Sequence, residues 1–223
     1  MVALSPTATV ERIQLDDTSW VDVSRGWLDG ADELYEALLG GVAWRESKVY
    51  RYEKFVDERR LGSGWSLGRP LPHPSLAAIH KTLQRQYSAQ FNGFGMIQYR
   101  NAGDGQAFHR DTDMRWLDDT IIAILTLGAQ RPWLLRPRAV RNSLTAVDGL
   151  KGATHDLAPG NGDLIVMGGA CQANWEHSVP YLNKLGVGVR ISLQWRYARK
   201  TGKPFMGPGY SAPVTYSSNS YKG

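Results

Sequence analysis

The sequence predicts a mainly β domain with flanking helices (α+β), built as an antiparallel sandwich or jelly roll. Three observations carry that expectation. Two stretches within residues 1–91 show helical periodicity. After residue 92 the chain turns to short runs rich in β-branched and aromatic residues, bounded by Gly, Asn, Asp or Pro. A length of 223 residues suits one domain with a proper core, or a core plus a modest extension.

In chain order, residues 29–39 (DGADELYEALL) read as a helix, with Asp29 placed to cap it and Leu34, Leu38 and Leu39 on one face. HPSLAAIHKTLQRQYSAQF reads as a second helix, with Pro74 near its first turn and Leu76, Ile79, Leu83 and Tyr87 as the buried stripe. The intervening RRLGSGWSLGRPLPHP is rich in Gly and Pro and is expected to be a loop or short hairpin. FGMIQYR, TIIAILTLG, PWLLRPR, GDLIVMGG and RISLQWRYAR are the expected strands, with APGNGDL the turn that feeds one of them. The expected organisation is helices and a substrate-lid segment over 1–91, a β core over 92–199 and a tail over 200–223 without clear periodicity, all in one domain.

Composition is that of an ordinary globular chain, 42% hydrophobic and 21% charged, with eight Trp and ten Tyr. The single Cys171 excludes an intramolecular disulfide and points to a reducing compartment. MVALSPTATV lacks the basic start and apolar run of a signal peptide, and no stretch is long enough to span a bilayer, so a cytoplasmic monomer without membrane attachment is expected. The formal charge of +5 leans toward a polyanionic partner. Arg59, Arg60 and Arg69 surround LGSGWSLG, and Arg131, Arg136, Arg138 and Arg141 crowd RPWLLRPRAVR. Arginine interleaved with Trp can grip phosphates and stack on bases, although such clusters are also common on solvated loops.

The chemistry starts at FHRDTDM. On extended backbone His109 and Asp111 project to the same side, and NWEHSVP supplies a third donor, His177. Two histidines and one carboxylate on one face leave three positions open, the arrangement of non-haem Fe(II) sites; zinc accepts the same donor types, so the triad alone leaves the metal open. His73, His80 and His155 are assigned packing or surface roles. RISLQWR puts Arg190 and Arg196 on one face of a strand with Ser192 and Gln194 between them, and Ile191, Leu193 and Trp195 on the other. Two inward guanidiniums are costly unless anions meet them, and a dicarboxylate with an internal keto group would do so; pairing with acidic side chains is the alternative.

Taken in order, MIQYR, HRDTD, GDLIVMGGACQANWEHSVP and RISLQWR, with thirteen positions from His177 to Arg190, resemble the AlkB-like Fe(II)/2-oxoglutarate-dependent dioxygenases over roughly residues 40–199. The resemblance implies a double-stranded β-helix (jelly-roll) core, with Fe(II) held by His109, Asp111 and His177 and with 2-oxoglutarate and O2 as cosubstrates. It further implies that Arg190, with Tyr99 and Ser192, holds the distal carboxylate and that Arg196 lies toward the metal-bound end. Ile97 and Ser192 stand where the family often has Asn. The implied activity is repair of N-alkylated nucleic-acid bases, with DNA as the expected substrate, by oxidative demethylation that releases formaldehyde, succinate and CO2. A base must be flipped from its stack for this chemistry. Asp113 is then a base contact or a turn-capping acid, Trp65 a lid aromatic or a hydrophobic plug, and Arg69 and Arg136 nucleic-acid contacts; Trp175 packs beside the metal loop. The same chemistry on a protein or small molecule is a competing expectation. A non-catalytic nucleic-acid-binding module is another, against which the intact triad and both arginines argue.

Overall fold

The computed structural model describes residues 1–138, 154–207, 209 and 211–221; Arg141 lies outside them. The elements run β1 (Ala3–Leu4), β2 (Glu11–Gln14), β3 (Ser19–Ser24), β4 (Leu28–Asp29), α1 (Ala31–Gly41), β5 (Arg45–Arg51), β6 (Lys54–Ser66), α2 (Ser75–Tyr87), β7 (Gly93–Tyr99) and β8 (Gln106–His109). After a single 3-10 turn (Thr112–Met114) come β9 (Thr120–Gly128), β10 (Leu134–Pro137), β11 (His155–Asp156), β12 (Leu164–Gly169), α3 (Cys171–Asn174), β13 (Trp175–Val179), β14 (Arg190–Ala198) and β15 (Val214–Tyr216). A nine-stranded sheet in the order β15-β5-β6-β7-β14-β9-β12-β3-β2 faces a four-stranded sheet, β11-β10-β13-β8. The pairings within both are antiparallel, as in a jelly roll.

Side-chain alternation explains the layering. On β9, Ile121, Ala123, Leu125 and Leu127 face the helices, while Ile122 and Ile124 face the small sheet. β14 repeats the split: Ile191, Leu193 and Trp195 enter the helix-side core with Leu34 and Leu38 of α1 and Leu76, Ile79 and Leu83 of α2. Each such side chain contributes ~1.5–3 kcal/mol of burial. The opposite face of β14, carrying Arg190 and Ser192, is thereby aimed between the sheets. Gly168 is required in β12 because the ring of Trp20, on paired β3, lies where a Cβ would stand.

Several expectations change here. Asp29 is exposed and caps nothing; α1 starts after Gly30, whose left-handed φ of 71° makes the turn. Tyr87 is half-buried at the end of α2, its hydroxyl 3.2 Å from Asp22. The first half of RRLGSGWSLGRPLPHP is not a loop: residues through Ser66 belong to thirteen-residue β6, paired with β5 and β7. The segment before residue 92 thus supplies β2, β3, β5 and β6 to the large sheet as well as helices. The tail packs on the large sheet, with β15 on the edge of β5 and Trp44 and Tyr221 exchanging backbone hydrogen bonds. No helix among the described residues is long and apolar enough to cross a membrane.

Candidate metal centre

Strand pairing assembles the donors. β13 runs antiparallel to β8 with His177 directly opposite His109, and the two rings lie 4.1 Å apart. Asp111 follows two residues on, where β8 has ended and the chain turns. That turn is fixed from α3: the Asp111 amide donates to the buried Gln172 Oε1 at 2.8 Å, and Arg110 donates to the Gln172 carbonyl. One ligating atom from each of His109, Asp111 and His177 falls within 4.8 Å of the others.

The charge states suit a metal. Burial, reinforced by the neighbouring His177, holds the His109 imidazole well below its ordinary range, and burial also lowers His177. Both are therefore neutral donors at neutral pH. The His109 Nδ1–H donates to the Ala107 carbonyl at 2.9 Å, which presents Nε2 toward Asp111. Burial acts to raise the Asp111 carboxyl, but Arg196 and the histidines outweigh it and bring it down to about 2, so it is ionised. Its Oδ2 is held by Arg196 Nε at 2.8 Å while Oδ1 faces His109 Nε2 at 3.7 Å. The ring of His177 stacks on Trp133, and its buried Nδ1 has no partner among the described residues. Two neutral imidazoles and one carboxylate with this spacing fit Fe(II) and equally accept Zn(II).

Connected to the triad through Tyr99 and Arg60 lies a buried cation. Arg190 is fully enclosed, opposite Tyr99 in the β14–β7 register, and makes one hydrogen bond, Nη2 to Thr126 Oγ1 at 3.2 Å. Among the described residues its Nε and Nη1 have no partner. Burial lowers its pKa to about 10, so it stays charged at neutral pH. Such a group is unfavourable alone and is satisfied by a carboxylate that brings its own charge. Ser192 and Tyr99 are buried on the same side. The fit to a keto diacid thus rests on an orphaned guanidinium in the wall between the sheets.

Arg196 differs from Arg190. It is not buried: its side chain is 38% exposed at the cleft mouth, where it pairs with Asp111 and approaches Asp113 at 3.8 Å. Position on the strand explains this, since β14 runs from the closed interior at Arg190 toward the open end at Arg196. The cleft there encloses about 680 Å³ and is lined by His109, Asp111, Asp113, Arg60, Arg196 and Tyr50, among others.

Asp113 is the one substrate candidate that the structure brings to this cleft. Trp65 and Arg69 line a separate cavity. Trp65 shares the face of Leu61 on β6 and packs against the helix-side core: it stacks on Phe94 at 5.3 Å and donates to the Arg69 carbonyl. Arg136, on β10, pairs with Glu176 at 3.0 Å and covers the Phe108 ring. Trp175 is buried and donates to Asp16, which ties the amino-terminal strands to the loop before His177. His80 accepts from Trp195 in the helix-side core, His73 is bonded to Ser75, and His155 packs on Trp175.

Arg60 is a site residue that sequence reasoning left on the surface. Opposite Ser47, β6 carries two extra residues, a bulge that aims Arg60 inward. There it meets Glu58, Gln106 and the Tyr99 hydroxyl, beside the metal ligands. Gln172 was missed too; a polar residue in the otherwise small, apolar MGGACQA run was its available signal.

No family model matches the chain. It is 28% identical over 193 residues to the human protein "Alpha-ketoglutarate-dependent dioxygenase alkB homolog 3", covering 80% of this chain and 63% of that protein. It is 29% identical over 133 residues to the Arabidopsis thaliana "DNA oxidative demethylase ALKBH2", covering 54% of this chain and 41% of that one. The chain thus spans about 63% of the length of the first of these relatives. In fold it matches an oxidoreductase of the 2OG-Fe(II) oxygenase family from Burkholderia pseudomallei, with a TM-score of 0.50 at 13% identity over 77% of this chain and 80% of that one.

Proposed function

Starting from a chain that is AlkB-like in sequence and has the 2OG-Fe(II) oxygenase fold, we propose that it demethylates N-alkylated bases in nucleic acid. The reaction consumes 2-oxoglutarate and O2 and yields succinate, CO2, formaldehyde and the restored base. The observation that carries the reading is the fully buried, under-bonded Arg190, connected through Tyr99 and Arg60 to an open three-donor site. A zinc hydrolase has no use for such a cation.

His109, Asp111 and His177 would hold Fe(II), and Arg190 the far carboxylate of 2-oxoglutarate, with Tyr99 and Ser192 lining that end. The bound iron, keto acid and O2 together supply the oxidant that hydroxylates the N-methyl carbon. Arg196 orients Asp111 by holding one oxygen, and Gln172 fixes the turn that carries it. Asp113, exposed and within the cleft, would meet the exocyclic edge of a flipped base. The hydroxymethyl product needs no further catalyst: its hydroxyl proton goes to water, the N–C bond breaks with its electron pair left on the ring nitrogen, and carbon leaves as formaldehyde. The net charge of +5 and the name of the Arabidopsis relative support nucleic acid over a protein or metabolite substrate.

The test is incubation with Fe(II), 2-oxoglutarate and oligonucleotides carrying 1-methyladenine or 3-methylcytosine, reading formaldehyde. Succinate formation without turnover of any single- or double-stranded DNA or RNA would reject nucleic acid as the substrate.

A further inference from the structure

The segment after β14 crosses the metal cleft from lip to lip. On one side the Phe205 amide donates to the Arg115 carbonyl, the Arg110 guanidinium lies 5.3 Å from the Phe205 ring, and Gly209 sits beside Thr112. These partners flank Asp111 in sequence. On the other side the Tyr50 amide donates to the Pro213 carbonyl, β15 pairs with β5, and Ser217 donates to Glu46. Gly209, Ala212, Val214 and Tyr216 all line the same cleft as His109 and Asp111.

Backbone hydrogen bonds, rather than burial, hold this segment: every residue of β15 is exposed. Tyr216 is 60% exposed, and one edge of its ring rests on the cleft wall. It reaches across β5 to lie over Gly62, where a Cβ would stand 3.7 Å from the Tyr216 Cε1. Gly62, Ser47 and Arg60 share that cleft face. A half-exposed aromatic ring on a cleft wall contributes little to the fold and offers a flat face to a planar ligand. Tyr50, on the neighbouring strand, lines the cleft beside it and is also partly exposed.

We propose that the described residues between Phe205 and Tyr221 form a strap over the metal cleft, and that Tyr216 is its substrate-contacting side chain, the wall on which the target base stacks. This rests on the nucleic-acid reading above. The strap makes substrate entry depend on a segment of low local stability, which is where binding lids are drawn from.

Three variants of the full chain test it. In Tyr216→Ala the KM for a single-stranded oligonucleotide containing 1-methyladenine should rise about tenfold, the lower part of what removing one stacked aromatic costs. Its kcat and substrate-free succinate formation should stay within about twofold, and Tyr216→Phe should restore KM. Thr215→Pro breaks the edge pairing of β15; with Mn(II) in the site, it should speed metal removal by EDTA severalfold. An unchanged KM in Tyr216→Ala, or an equal fall in substrate-free succinate, overturns the stacking role. If the wild type processes no methylated oligonucleotide, the nucleic-acid reading fails, and the stripping rate alone judges the strap: unchanged stripping in Thr215→Pro overturns it.

Discussion

Replacing Arg190 with Met should move ligand affinity and stability in opposite directions. The wild-type guanidinium is fully buried, bonds to Thr126, has two nitrogens without partners among the described residues, and feels repulsion from Arg131. Removing an uncompensated buried charge in favour of an apolar side chain of similar length should leave the ligand-free protein at least as stable as before, and up to ~1–4 kcal/mol more so. The same change removes the cation that would meet the distal carboxylate of 2-oxoglutarate. Truncating one partner of a buried, hydrogen-bonded charge pair costs ~2–5 kcal/mol, so at ~3 kcal/mol Kd rises about a hundredfold. Thermal melting with Mn(II) reads both effects. At 2-oxoglutarate a hundredfold above the wild-type Kd, ligand should stabilise the wild type by ~2.7 kcal/mol, a Tm rise of roughly 5–10 °C for a chain of this size. The variant should gain about 1 °C from the same addition. A full wild-type shift in Arg190→Met would refute the assignment of this arginine to the cosubstrate.

Trp65→Ala should cost ~2 kcal/mol of stability, through lost stacking on Phe94 and His80, while leaving the KM for an oligonucleotide unchanged; denaturant melts and steady-state kinetics check this. Asp16 carries the acid-sensitive part of the joint to the metal loop. Burial acts to raise its carboxyl, but Trp175, Thr18 and Ser19 donate to it and bring it down to about 2. A folded pKa below the unfolded one means this stabilisation is present above pH ~4 and is lost as pH falls through 2. Asp16→Asn should therefore lose about 1 kcal/mol near pH 6 after solvent screening, with the gap to wild type closing toward pH 2 in melts. Cys171 is buried and its thiol is pushed up to about 12, so a thiol reagent at pH 8 should label it only on unfolding; rapid labelling of native protein would contradict its place in the core.

How much was legible in the sequence follows from locality. His109 and the face of β14 could be read because strand alternation fixes side-chain direction within a few residues, whereas Asp111 lies past the end of β8 in a turn held by Gln172. β9 and β12 were legible because both faces are buried, which leaves continuous apolar runs. β5 and β6 were not, since one face lines a polar cleft and the other is partly solvated, so KFVDERRLGSGWS lacks a hydrophobic signal. Its glycines look like loop punctuation; in place, Gly62 lies under the Tyr216 ring and Gly64 lies close to the Phe94 carbonyl. Arg60 was hidden for the same reason, because its inward aim comes from a bulge that only the pairing with β5 creates. β15 has no stability of its own and exists through the edge it covers, more than 160 residues away in sequence.

The most direct test is calorimetric titration of 2-oxoglutarate into the protein without O2, with and without one equivalent of Fe(II), for the wild type and His177→Ala. One site that requires the metal and disappears in His177→Ala is the predicted result. Equal binding without iron, or undiminished binding in His177→Ala, would show that the three donors and the Arg190 cation do not act on a single metal-bound ligand.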